Sequence, residues 1–489
     1  MIQPIEQFDG QRNSADVIII DGLPPEEGAM SQAVYSRKPK SILFQLLQVL
    51  KKGAQSFMEV FYSGYGHNSI GDCGSTTLYL ENVSMLAAKA FQDWSLYKGQ
   101  EASTRYLDFG GRIMINPLDG QLLANHLYIA RDMLNEKSLE KIAELFVATI
   151  PESIGNDPGC RGAYIQNKWM AFYDTHMPIV KMHVASLNPK DKDQDQTTYD
   201  KAVNARAFDI MRAFIPAGMT TLVSWHSDLR QLRDHLAILK YHPADEIARV
   251  AKTAIIGLEK TYPASFVQKK SYPETETYLQ KRAEHTSYFD DGSNLESENF
   301  GITNIHKLDL KCLQQEYGWF LENRPPKTEL PHEIGEAGTV NVHFKIDFGS
   351  FRDAQRHRKG VCKMPLLTTR YGFHQWYLDR LPEESRIEAI ALMDELVPLI
   401  NELPCSKEDK QYYIPMGFIV LADFTWTFDQ LVYVAELRSS ETVHATFRVH
   451  AQSIGKWIEE YVPTTKLYVD YSEDKWSYKR GTQDIVEKK

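Results

Sequence analysis

Paired cysteines are what this chain most plainly lacks. Cys73, Cys160, Cys312, Cys362 and Cys405 lie far apart, with no CxxC or Cys/His spacing. That excludes a disulfide framework and a zinc site, leaves no metal to propose, and suits a reducing cytoplasm. No apolar run approaches the roughly 20 residues of a membrane helix. The opening MIQPIEQFDGQRNS lacks the charged-then-apolar order of a signal peptide, so the chain reads as cytoplasmic with no membrane partner. Net positive charge is absent too. A formal charge of −10 argues against a general nucleic-acid or anionic-membrane binder, which needs a positive field to gather phosphate. There is no GxGxxG after a strand, no Walker loop and no G-x-S-x-G elbow, so neither a dinucleotide fold, a P-loop nor a serine hydrolase is indicated.

What is present is a globular chain of 489 residues, 43% hydrophobic and 25% charged, long enough for two domains. Residues 1–40 are polar and turn-rich and should wrap over a core without building one. Helical spacing of Ile42, Leu43, Leu46, Leu47 and Leu50 predicts a helix to about Lys52. Thr76–Leu80 alternates as a strand, and the apolar, alanine-rich Val83–Phe91 reads as a buried helix. Leu139, Ile142, Ala143, Phe146 and Ile150 form a core stripe, followed by a solvated loop NPKDKDQDQ at 188–196. The polar stretch 271–300 reads as a linker. A helix is expected over 385–403, kinked or ended by Pro398, and the tail after Tyr461 should be peripheral.

Small clusters of arginine stand out against the acidic background. Arg356-His357-Arg358 is followed by Thr368-Thr369-Arg370-Tyr371, and earlier in the chain Glu101, Ser103, Arg105 and Tyr106 stand in EASTRY. Arginine binds phosphate and carboxylate in a planar, bidentate manner, so such clusters suit small anions. A solvated basic face has the same composition, and Ser103 is also an ordinary N-cap type. What separates the readings is repetition. Ile215-Pro216-Ala217-Gly218 and Ile414-Pro415-Met416-Gly417 match, as do Leu232 and Leu431 at equal spacing after the prolines. Leu239-Lys240 then pairs with Leu437-Arg438, and His242 with His444.

These motifs resemble the flavin-dependent thymidylate synthase family, whose pattern is roughly GHxSxxEH, an RHR triplet and S-x-R-Y. The first half supplies GHNS at 66–69 and EASTRY, with Asp93-Trp94-Ser95 at the triplet's place. The second keeps Arg356-His357-Arg358 but has Thr368-Thr369-Arg370-Tyr371 for S-x-R-Y. For the family's later arginines and N-A-R, the first half offers Arg212 and Asp228-Leu229-Arg230, and the second offers Arg438 and His444, with Gln411 where Arg212 stands.

The resemblance implies an α/β (α+β) chain of two tandem modules, each a twisted sheet flanked by helices. The first would be 1–285, with an insertion around 113–200, and the second 286–489. It implies C5 methylation of deoxyuridine monophosphate with FAD as cofactor, and NADPH and methylenetetrahydrofolate as co-substrates. Ser103, Arg105 and Arg438 would be catalytic, with Glu101 and Arg212 also holding the pyrimidine nucleotide. His67, Ser69, Arg230, Arg356, His357, Arg358 and His444 would hold the cofactor. Arg230 pairing with Asp228 or Asp234 is the structural reading of that residue. Neither half has a whole site, so the two would share one, in a homodimer that makes a pseudo-tetramer. Asp72-Cys73 replaces the family's E-H, Asp353 stands for a base-reading glutamine and Lys240 for an arginine. Another pyrimidine nucleotide as substrate, methylated or hydroxymethylated, and a non-catalytic flavin- or nucleotide-binding descendant are therefore alternatives.

Overall fold

A computed structural model describes residues 18–38, 41–112, 114–119, 158–267, 272–289, 300–303 and 307–482. The mixed helix and strand expected from the sequence is what the chain forms. The stripe Leu139–Ile150 lies outside the described residues.

In the first half, α1 (Pro25–Tyr35) and α2 (Ile42–Lys52) precede β1 (Ser75–Ser84) and α3 (Met85–Gln92). Pro25 opens α1 with Glu26 and Glu27 in its first turn, a favourable N-terminus that the reading of 1–40 as turns overlooked. Val83 belongs to β1; the helix starts only after Ser84, whose hydroxyl caps it by accepting from Ala87 N at 3.0 Å. Then come α4 (Pro158–Leu187), α5 (Gln196–Met211), β2 (Thr220–Asp228), α6 (Leu229–Leu239) and α7 (Asp245–Thr261). The expected linker contains a helix, α8 (Pro273–Thr286), whose acidic first turn again follows a proline.

The second half runs through β3 (Phe300–Thr303), α9 (Leu310–Asn323), β4 (Thr339–Asp347), α10 (Phe348–Ala354) and β5 (Gly360–Lys363). It closes with α11 (Glu383–Asn401), β6 (Ile419–Thr427), α12 (Phe428–Ser439) and α13 (Ala445–Tyr461). Pro398 sits in the last turns of α11, which ends soon after it. No described helix is long and apolar enough to cross a membrane.

β1 pairs with β2, and the other strands form an antiparallel sheet in the order β3-β4-β6-β5. In β4 and β6 alternate residues point inward: Val340, Val342, Phe344 and Ile346 meet Val420, Ala422, Phe424 and Trp426 in the core. One hydrophobic core runs through both halves.

The order strand–helix, then strand–helix–helix, appears in each half with matching junctions. Met85 N donates to Met219 O at 3.1 Å and Phe348 N to Phe418 O at 3.0 Å. Ser84 caps α3 and bonds the Glu246 carboxylate through its hydroxyl at 2.5 Å; Asp347 caps α10 and accepts from the Thr446 hydroxyl. Carboxylate and hydroxyl have exchanged places between equivalent positions. At the meeting of the halves the bonds are reciprocal. Ala217 N donates to Ile414 O and Met416 N to Ile215 O, both at 3.0 Å, while Gly218 N reaches Tyr412 O at 3.0 Å and Gly417 N reaches Ala213 O at 2.8 Å. This is the pattern of a two-fold contact, in which each partner makes the other's bond. Glycine is required there: a Cβ on Gly218 would lie 2.6 Å from Tyr412 O, and one on Gly417 2.4 Å from the Phe373 ring.

Candidate functional site

Beside the two-fold contact, the turn after α3 meets the segment after α10. Ser103 Oγ accepts from Arg105 N at 3.3 Å, a local turn that fixes where Arg105 points. Arg105 makes a bidentate pair with Asp209 of α5, at 2.7 and 3.1 Å, and donates to Thr442 O at 3.1 Å. Arg480 of the tail binds the same carboxylate. Burial alone would raise the Asp209 carboxyl; the guanidiniums of Arg105 and Arg480 outweigh it and hold it well below the usual range.

From the second half comes Asp353 on α10. Its carboxylate lies 3.9 Å from Arg212 Nη1 and 3.7 Å from Arg356 Nε. Burial works against its charge, but Arg356, Arg438, Arg105 and Arg212 together depress its pKa. Arg438, in the last turn of α12, donates from Nε to His357 Nε2 at 2.7 Å and from Nη2 to Asp353 O at 3.3 Å. A guanidinium can only donate, so His357 Nε2 is an acceptor and the proton sits on Nδ1. Burial first and Arg438 second push this imidazole well below its ordinary pKa, so it stays neutral. Arg358 donates to Gln92 O at 3.1 Å and covers the Tyr97 ring, while Arg356 remains 44% exposed.

Arg212 is buried, donating to Ser350 Oγ at 2.6 Å and lying 3.6 Å from Asp347. His444 lines the same interior. Its Nε2 bonds Asp209 O at 3.1 Å, and its Nδ1 faces the Thr446 hydroxyl at 2.9 Å. Burial and the Arg212 charge bring its pKa down to about 3. Glu101 takes a cation from each half, Lys89 at 2.8 Å and Arg352. Against the burial that would raise it, Arg352 and Lys89 lower its pKa to about 2.

Glu101, Ser103, Arg105, Arg212, Arg356, His357, Arg358, Arg438 and His444 thus gather around one junction. His67, Ser69 and Arg230 belong to a separate, exposed cluster at the start of α6. There Arg230 pairs with Asp72 at 2.5 Å, rather than with Asp228 or Asp234, and Arg233 reaches Asn68 at 3.1 Å. Asp72, one of the departures noted in the sequence, is the partner that fixes Arg230.

Sequence reasoning missed Lys89, Asp209, Arg352 and Arg480. Arg352 lies one helical turn before Arg356, and Asp209 nearly one turn before Arg212, so their spacing was readable; Arg480 carried no signal. The tail is not peripheral: Arg480 is buried, and Asp474 takes bidentate bonds from Arg206 at 3.0 and 2.7 Å.

The two-fold relation also defines a counterpart junction. Trp94 bonds Gln231 at 2.9 Å as His357 meets Gln430 at 3.5 Å, so Asp93-Trp94-Ser95 lies in the place that Arg356-His357-Arg358 takes in the other half. Thr368 Oγ1 accepts from Arg370 N at 3.3 Å, repeating the turn of Ser103 and Arg105. Helix caps correct two of the pairings read from sequence. Counted from the starts of α6 and α12, Arg438 stands opposite Leu239, not Lys240; counted from those of α7 and α13, His444 stands opposite Ala244, not His242. Ala90 stands opposite Asp353 and Gln411 opposite Arg212, so the counterpart lacks those two charges. Ser287–Phe289 lies over it: Phe289 N donates to Met364 O at 2.7 Å, and Tyr288 packs 5.2 Å from the His242 ring.

Residues 29–264 match the family model of the thymidylate synthase complementing protein. The chain is also similar to UPF0159 proteins. One from Chlamydia pneumoniae is 24% identical over 86% of this chain and 82% of that protein, and one from Chlamydia muridarum 25% over 87% and 82%. A third, from Thermoplasma acidophilum, is 22% identical over 84% and 87%.

Proposed function

We propose that this chain, whose residues 29–264 match the family model of the thymidylate synthase complementing protein, binds a pyrimidine nucleotide where its halves meet and methylates C5 of deoxyuridine monophosphate. The observation that carries this reading is the convergence of Arg105 and Arg212 from the first half with Arg356 and Arg438 from the second around Asp353. In a protein of net charge −10, four guanidiniums gathered around one carboxylate favour an anion at that place.

Ser103, Arg105 and Arg212 hold the nucleotide. Arg438 keeps N–H groups beyond those given to His357 and Asp353 O, and these face negative charge as it develops on the pyrimidine during attack from C5. Neutral His357 orients Arg438 without adding a competing charge. FAD fits the residues present, because the exposed Arg356 guanidinium, held only loosely by Asp353, has donors left for an anionic group. Arg356 and Arg358 would hold it here, and His67, Ser69 and Arg230 from their separate cluster. When bound, the flavin supplies the reductive chemistry, with NADPH as reductant and methylenetetrahydrofolate as carbon donor.

The halves descend from a tandem duplication, modules 1–285 and 286–489, and the chain keeps one nucleotide site because the counterpart is neutralised and covered. It works as a cytoplasmic homodimer. The test is tritium release from C5-labelled deoxyuridine monophosphate by the yellow, flavin-loaded protein; a flavin-loaded protein that releases none contradicts this reaction. Asp353 favours one second reading, another pyrimidine nucleotide, since a carboxylate accepts from an exocyclic amino group such as that of cytosine.

A further inference from the structure

The C-terminal tail lies against α5. Asp195 N donates to the Tyr478 hydroxyl at 3.0 Å, Asp474 holds Arg206, and Gly481 packs so closely that a Cβ there would lie 2.0 Å from Thr198 O. This packing delivers Arg480 to Asp209, the carboxylate that already holds Arg105. Arg480 is buried and fully engaged, since it also donates to the Tyr106 hydroxyl. It has no part in contacting a ligand.

Arg105 is the member of the group that faces the site, for its charge acts on Asp353 and Arg438. Its bonds to Asp209 and Thr442 engage Nε and Nη2 and leave Nη1 out. An arginine paired with a carboxylate of its own is neutral as a unit and attracts an anion weakly. Asp209, however, is divided. Its Oδ1 accepts from Arg105 Nε at 2.7 Å, whereas its Oδ2 is bound by Arg480 Nη1 and accepts from Arg105 Nη2 at a looser 3.1 Å. Two guanidiniums on one carboxylate leave the group with a positive charge, and Arg105 is where that charge meets the site.

We propose that Arg480 is a positioning residue that acts through Asp209: by taking a share of that carboxylate it keeps the charge of Arg105 from being cancelled, so that the C-terminal tail sets how strongly the site attracts an anion. The inference rests on the nucleotide reading only for the identity of that anion.

The full chain is titrated calorimetrically with deoxyuridine monophosphate and with inorganic phosphate. Arg480→Gln leaves Asp209 paired with Arg105 and strands no carboxylate; both affinities should fall on the order of tenfold. Arg480→Lys returns the charge and should bring them back to within a few-fold of the parent. Asp209→Asn in the Arg480→Gln background releases Arg105 from its carboxylate and should restore both affinities, a gain that a merely structural role for the pair forbids. Unchanged binding by Arg480→Gln overturns the proposal, and so does a double variant that binds no better than that single one. The double variant also decides the matter if Arg480→Gln alone does not fold: binding at the parent's level upholds the proposal and weaker binding overturns it. Phosphate affinity that follows this pattern without any nucleotide binding upholds the role of the tail and sinks the nucleotide reading. A parent that binds neither anion overturns both.

Discussion

Arg352 of the second half is ion-paired with Glu101 of the first, and Lys89 completes the pair from the other side. All three are buried, so the charges hold the two halves in register at the edge of the site. Glu101 has a folded pKa of about 2 against an ordinary 4.5. Its stabilisation is present above about pH 4.5 and lost as pH falls toward 2, because the unfolded chain takes up the proton first. Arg352→Ala leaves Lys89 as the cation on the buried carboxylate and should lower stability at neutral pH, by less than the roughly 3–5 kcal/mol of a buried charge left with no partner. Chemical denaturation of the parent and variant between pH 2 and 7 checks both statements.

The buried histidines act in a higher range. His444 and His242 have pKa values brought down to about 3, and His235 to about 4, by burial. Below about pH 6.5 the unfolded chain binds protons that these rings refuse, so stability should fall as pH drops from 6.5 toward 4. Neither His357 nor His444 titrates between pH 6 and 8, so affinity for the nucleoside deoxyuridine, which carries no phosphate of its own to ionise near pH 6, should be flat across that range when measured by titration calorimetry. A step near pH 6.5 in deoxyuridine binding would show one of them charged in the site.

At the crossing of the halves, Gly218→Ala places a methyl group against Tyr412 O and Gly417→Ala places one against the Phe373 ring. Each should cost about 1–3 kcal/mol. Since the bonds there are reciprocal and the core is continuous, unfolding should remain one transition. Calorimetric melting in two steps would show that the halves fold separately.

Much of the site was legible because arginines and turn residues keep their spacing whatever surrounds them. Ser103-Thr104-Arg105-Tyr106 and Arg356-His357-Arg358 could be singled out, and the paired Ile-Pro-x-Gly segments marked the crossing. What spacing could not give was the partner. Asp72 for Arg230 and Asp209 for Arg105 are contacts between distant segments, set by packing. Helix caps moved the pairing of Arg438 and His444 by one or two positions, because the loops differ where the helices do not. The tail looked peripheral from its polar composition, and the pairs of Arg480 with Asp209 and of Asp474 with Arg206 tie it to the first half.

The central claim is one composite nucleotide site per chain. Calorimetric titration of the full chain with deoxyuridine monophosphate should give a stoichiometry of one. Arg105→Ala and Arg438→Ala, one from each half, should each abolish the signal, and Arg370→Ala in the counterpart should leave it intact. Two sites per chain, or normal binding by either of the first two variants, would contradict the account.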